Sequence, residues 1–313
     1  MSNRRTFIRQ SGLAAASFLT AHPLLYAGSM ESPHTTRLTI LHTNDVHSRL
    51  EPFPMDGGSN AGRGGVAARA ALIRKIRAAE EHVLLLDAGD IFQGTPYFNI
   101  FKGEPELRAM QMMGYDAAVM GNHDFDAGIE NFADQLSRHA RFPIVMCNYD
   151  FQSTPMENRH VPHMVVRKGP LRIGITGVGI ELQGLVPENL YGKTLYRDPV
   201  KAASEQADYL KTRKKCDMVI CISHLGDKYD GNKVSDEVLA RESEHIDLIL
   251  GGHTHRFFDA PRVYRNKAGE EVIVNQVGWA GLRLGRLDYA FSGAKTKNLE
   301  KNQSLPIGKK EAE

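Results

Sequence analysis

The sequence predicts a layered α/β domain with mixed β-sheets. Segments with helical spacing alternate with short apolar runs in the first half, and strand-like runs cluster in the middle and near the end. No internal repeat or long linker separates two domains within the 313 residues. Apolar residues make up 42% and charged residues 24%, the proportions of an ordinary globular enzyme. The formal net charge of +2 gives no bias toward a nucleic-acid polymer or an anionic membrane.

The chain opens with a segment outside the expected fold. Asn3-Arg4-Arg5-Thr6-Phe7-Ile8-Arg9 precedes an apolar run, Leu13 to Leu25, with small residues at Ala27-Gly28-Ser29. A charged start, an apolar middle and a small-residue exit read as a secretory signal over residues 1–30. The paired arginines followed by Thr-Phe-Ile resemble a twin-arginine signal, so a periplasmic or extracellular location is expected. The run is too short and too rich in small residues for a stable membrane span.

Leu38 to Thr43 alternates and then reaches Asn44-Asp45, a strand ending in a turn. Glu51 to Gly65 is rich in Gly and Pro and reads as a loop. Val66 to Ala79 is a helix, and Val83-Leu84-Leu85-Leu86 a buried strand. Pro105 to Met113 is a helix with Pro at its start and Gly114 at its end. Ala117 to Met120 leads into Gly121-Asn122-His123, Ile129 to Ala140 is an amphipathic helix, and Pro143 to Cys147 a strand. Met164 to Gly179 reads as two strands joined at Lys168-Gly169-Pro170. Pro199 to Arg213 and Val234 to Glu242 read as helices. Met218–Ile222, Ile246–Leu250, Val272–Val277 and Arg283–Phe291 are the remaining strands. The domain is therefore expected over residues 36–292, with residues 293–313, rich in Lys, Asn and Glu, as a frayed tail. The odd cysteine count, Cys147, Cys216 and Cys221, gives no full disulfide framework and is read as free thiols.

Five apolar runs end in potential metal ligands: Asp45-Val46-His47, Asp87-Ala88-Gly89-Asp90, Gly121-Asn122-His123-Asp124, Ser223-His224 and Gly252-His253-Thr254-His255. In open α/β sheets, ligands bind beyond the carboxyl ends of the strands. One Asp-x-His alone reads as a surface turn. On an extended segment it would place both side chains on one face, and His253-x-His255 repeats the spacing after two glycines. Those glycines are expected to permit a tight turn and the approach of an ion. Imidazole, carboxylate and amide together suit zinc, manganese or iron. One ion would not need seven such ligands, whereas two ions sharing one carboxylate would; a bridging Asp offsets their repulsion at a spacing of about 4 Å.

These motifs resemble the calcineurin-like metallophosphatase signature. Leu41-His42-Thr43-Asn44-Asp45-Val46-His47 and Gly121-Asn122-His123-Asp124-Phe125-Asp126 are similar to its 5′-nucleotidase branch, from about Arg37 to about Phe291. The resemblance implies a four-layer αββα sandwich. It implies that Asp45, His47, Asp90 and His255 hold one divalent ion, and that Asp90, Asn122, His224 and His253 hold the other. It also implies that His123 is the catalytic histidine and that Asp126 orients it. Independently, Asp126 reads as a residue at the start of the helix from Ile129, and both roles are compatible. Asp87 is expected to support the ligands, and Trp279 to be packing.

Long members of the branch carry a second domain for base stacking and phosphate binding, and this chain stops soon after Phe291. An exported hydrolase of phosphomonoesters, 5′-nucleotides foremost, is therefore expected to show weak nucleotide selectivity alone. The alternatives are the catalytic half of a split enzyme with a separate C-terminal-domain partner, a hydrolase of nucleotide pyrophosphates or cyclic phosphodiesters, and a non-catalytic binding module.

Overall fold

The computed structural model describes residues 35–231, 233–292 and 296–308; the signal read at residues 1–30 lies outside them. In chain order the strands are β1 Thr36–Thr43, β2 Val83–Asp87, β3 Ala117–Ala118, β4 Ile144–Val145, β5 Tyr149–Asp150, β6 His160–Val161, β7 His163–Lys168, β8 Leu171–Gly179, β9 Leu195–Tyr196, β10 Met218–His224, β11 Leu248–Leu250, β12 Arg262–Arg265, β13 Glu271–Asn275, β14 Arg283–Ser292 and β15 Thr296–Pro306. The α-helices are α1 Val66–Ala79, α2 Pro96–Phe101, α3 Glu104–Met113, α4 Ile129–His139, α5 Glu188–Tyr191, α6 Pro199–Asp208 and α7 Asp236–Glu242.

Two mixed sheets form the centre. One runs β15-β14-β1-β2-β3-β4-β6, the other β12-β13-β11-β10-β8-β7, and β5 pairs with β9 in a separate ribbon. All five residues of β2 are buried, as a parallel strand covered on both faces requires. Along β10 the side chains alternate. Ile220 and Ile222 join the core shared with the first sheet, while Val219 and Cys221 join the core beneath α6 and α7. Ile73 of α1, Leu107 of α3 and Phe132 of α4 cover the first sheet. The order is therefore helix, sheet, sheet, helix, the four-layer sandwich.

The sheets are fastened together beside the carboxyl ends of β4 and β8. Cys147 N donates to Gly177 O at 2.8 Å, and Asn148 exchanges two hydrogen bonds with Gly179, each 2.8 Å. Gly177 is needed for this approach, since an added Cβ would strike the Val145 carbonyl oxygen and the Val119 side chain.

The expected frayed tail is corrected. Residues 296–306 form β15, which pairs antiparallel with β14 at the sheet edge, and Ile307 is buried. Leu299 and Leu305 pack on the core. Edge strands tolerate Lys, Asn and Gln on their open side, so a polar composition concealed an ordered strand. The helix expected from Pro199 to Arg213 ends at Asp208 and continues as a π-helical turn, Tyr209–Arg213. The three cysteines are free, Cys216 and Cys221 buried and Cys147 half-buried. No helix among the described residues is long and apolar enough to cross a membrane.

Candidate metal centre

Strand register levels the tips. Thr43 pairs with Asp87, Asp87 with Ala118, and Ile222 with Leu250, so the loops beyond β1, β2, β3, β10 and β11 leave from one rim. His224 continues the parity of Ile220 and Ile222 and faces the space between the sheets. Ser223 faces the other way, its hydroxyl 2.5 Å from Asp236 Oδ1.

Asp-x-His does not converge by strand alternation. Five of the seven expected ligands sit on left-handed backbone: Asp45 at φ 50°, His47 at 51°, Asp90 at 55°, His253 at 68° and His255 at 54°. Asp and His enter this region more readily than most residues, and strained backbone clusters at functional sites. The glycines before His253 are likewise reassigned. The left-handed turn falls on the histidines, and Gly252 is required for closeness: an added Cβ would lie 2.9 Å from both Ala88 O and His224 Nδ1.

The seven side chains meet in two clusters that share Asp90. Asp45, His47, Asp90 and His255 bring one donor atom each within 4.8 Å of one another, and Asp90, His224 and His253 do the same. Asn122 joins the second, its Oδ1 2.9 Å from His253 Nδ1. In the first cluster His47 Nε2 lies 3.0 Å from His255 Nε2 and 3.8 Å from Asp90 Oδ2, and His255 Nε2 lies 3.3 Å from Asp45 Oδ1.

The donor set fits divalent ions. His224 Nδ1 donates to Ala88 O at 2.6 Å, which fixes the ring and turns Nε2 inward. That Nε2 is buried and paired with Asp90 Oδ2 at 3.1 Å, which brings a nitrogen and an oxygen donor side by side. Burial lowers the pKa of His47 from its ordinary value and that of His253 to about 4, whereas at His224 the Asp90 carboxylate outweighs burial and raises it to about 10. Burial opposes charge on Asp90, but His224, His47 and His123 outweigh it and hold the carboxyl well below the usual range.

His123 stands apart from both clusters. Its ring centroid lies 5.3 Å from that of His47, and its Nδ1 is 2.9 Å from Asp126 Oδ2. The hydrogen bond to Asp126 raises the His123 pKa, against burial. Asp126 closes the single 3₁₀ turn Asn122–Phe125; the cap of α4 is Gly128, so the reading of Asp126 as a helix-start residue does not hold. Trp279, read as packing, lies at the mouth of the site and stacks on His255 at 5.9 Å and 11°. The cleft there is lined by His47, Arg49, Gln93, Gly94, His123, His255, Trp279 and Ala280. Among the described residues Asp87 makes no hydrogen bond to a candidate ligand side chain; its carboxylate accepts from Thr43 Oγ1 and Gly89 N, tying the tips of β1 and β2 together.

Sequence reasoning did not single out three supporting residues. Asp124 accepts from the backbone N–H groups of Asp90, Ile91, Phe92 and Gly121, clamping the loop that carries Asp90. Asn44 donates to Asp45 Oδ2 and to Gly278 O, both at 2.6 Å, and so aims Asp45. Gln276 receives Thr254 Oγ1 and Arg256 N and donates to Gly252 O, bracing the loop of His253 and His255. Asp124 and Asn44 stand inside quoted motifs, which was the available signal; Gln276 offered none.

The chain is similar to known proteins over most of its length. A family model described as calcineurin-like phosphoesterase matches residues 38–257. Snake venom 5′-nucleotidase from Gloydius brevicauda is 34% identical over 94% of this chain and 51% of its own length. A 5′-nucleotidase from Bos taurus is 36% identical over 81% of this chain and 46% of its own. The crystal structure of a 5′-nucleotidase precursor from Thermus thermophilus superposes with a TM-score of 0.75 at 32% identity, covering 87% of this chain and 55% of that one. The chain thus spans about half the length of the curated relatives it matches.

Proposed function

Because this chain belongs to the calcineurin-like phosphoesterase family, with relatives among 5′-nucleotidases, we propose that it hydrolyses phosphomonoesters, including 5′-nucleotides, at a two-metal centre. The observation that carries this reading is the pair of ligand clusters sharing Asp90, with His123 held by Asp126 at their open side. Asp45, His47, Asp90 and His255 would hold one ion, and Asp90, Asn122, His224 and His253 the other. The nitrogen and oxygen donors suit zinc, manganese or iron. Such ions, when bound, polarise a phosphoryl oxygen and acidify a water molecule.

The chain's own residues do the rest. Asp90 and Asp45, both buried, concentrate negative charge where cations bind. His123, partly exposed and with its pKa raised by the hydrogen bond to Asp126, lies where it could donate a proton to the leaving oxygen. Asp126 keeps the ring oriented throughout. The protein is further proposed to be exported through the twin-arginine segment at residues 1–30.

The test is turnover of an aryl phosphate and a nucleoside 5′-monophosphate by the metal-loaded chain. Both should be cleaved, a chelator should abolish cleavage, and divalent ions should restore it. A fully metal-loaded protein that cleaves neither ester would overturn the reading.

A further inference from the structure

We propose that Arg49, unpaired on the wall of the cleft beside His47 and His123, is the substrate-binding cation that grips the outward phosphoryl oxygens. The inference rests on the phosphomonoester reading of the same site. Arg49 follows His47 by two residues, and its N–H donates to Val46 O at 3.1 Å, so the turn that delivers His47 also delivers Arg49. Among the residues lining the cleft it is the sole permanent cation.

Its guanidinium is held but its donors are not consumed. The group lies 4.2 Å from the centre of the Phe53 ring. Phe53 meets Trp279 edge-to-face at 5.9 Å, and Trp279 stacks on His255. Stacking sets the plane of the guanidinium without using its five N–H groups. Nε is buried and has no hydrogen-bond partner, and no carboxylate pairs with Arg49 among the described residues. Structural arginines of this chain behave differently. Arg286 donates to Asp288 and Glu80, and Arg77 to the carbonyls of Met113 and Gly114. A planar fork held by an aromatic face, on a residue that lines the cleft and spends none of its guanidinium donors on the described residues, suits phosphate oxygens.

The competing account is that Arg49 serves only to pin Phe53 and its loop. The two accounts differ in phosphate affinity. Inorganic phosphate is titrated calorimetrically into the metal-loaded protein, with wild type compared to Arg49→Ala and Arg49→Gln. Arg49→Ala should weaken phosphate by about ten- to hundredfold, the scale of a lost charge-assisted hydrogen bond, with metal content unchanged. KM for an aryl phosphate should rise by the same factor while kcat stays within about threefold. If Arg49→Ala does not fold, Arg49→Gln, which keeps the stem on Phe53 and loses the charge, carries the test. Unchanged phosphate affinity in a fully loaded variant, or no phosphate binding by wild type, overturns the inference. Phosphate binding that depends on Arg49 in a protein that cleaves neither ester would instead leave this inference standing and remove the hydrolase reading.

Discussion

His123 and Gly121 show how a few atoms divide labour at the centre. His123 bonds Asp126 and stands outside both ligand clusters, so His123→Ala should lower turnover by about two to four orders of magnitude, the usual scale for an acid–base residue. Metal content by elemental analysis should stay at the wild-type level; metal loss alongside activity would make His123 a ligand. Gly121 has the opposite profile. An added Cβ there would collide with Asp90 Oδ1 and lie 2.6 Å from His224 Nε2, so Gly121→Ala should lose metal although it alters no ligand. Retention of full metal by that variant would contradict the close approach. The seven candidate positions were legible because each is a carboxylate, amide or imidazole following an apolar strand-like run. The left-handed backbone that aims five of them was not legible, because spacing alone fits an extended segment equally well. Arg49 and Gln276 escaped for a related reason: their roles depend on contacts across loops far apart in sequence.

At the scale of elements, apolar pattern and punctuation located most of the sandwich. Helix α1 has the expected bounds, Val66–Ala79, and α3 carries Pro near its start and Gly114, at φ 71°, at its end. Pattern failed where composition and burial part company. β15 is polar along most of its length and is held by pairing to β14 and by Ile307 beyond it. Ile307 also accepts from Gly64 N through its carbonyl, fixing the loop that precedes α1. Ile307→Ala should therefore lower unfolding free energy by about 2–4 kcal/mol in denaturant titration, the range for truncating a buried aliphatic side chain. A frayed tail would give no change. The two-residue strands β5, β6 and β9 are too short to leave a periodic signal.

Across the whole molecule, His42 links the two sheets and sets an acid limit on their stability. His42 lies on β1 of the first sheet, and Asn275 on β13 of the second donates to its Nε2 at 2.8 Å. Gly285 leaves room for the ring, since an added Cβ would strike it. Burial lowers the His42 pKa from 6.5 to about 3. The folded state resists a proton that the unfolded chain accepts, so this contribution is complete above pH 6.5 and is lost as pH falls toward 3. The loss should reach about 5 kcal/mol at the acid end, at roughly 1.4 kcal/mol per pKa unit. His42→Gln, which still offers an acceptor to Asn275, should flatten the acid decline of metal-free protein in urea titrations between these limits. An equally steep decline in the variant would remove His42 as its source. Export belongs to the same scale: changing Arg4 and Arg5 both to Lys should leave precursor in the cytoplasm, and normal periplasmic delivery would sink the twin-arginine route. The binuclear centre itself is tested most directly by elemental analysis of purified wild type beside Asp90→Ala. Two shared clusters predict about two divalent ions per wild-type chain and loss of both from the variant, because Asp90 belongs to each. Full occupancy in Asp90→Ala, or a single ion in saturated wild type, would contradict a bridged pair.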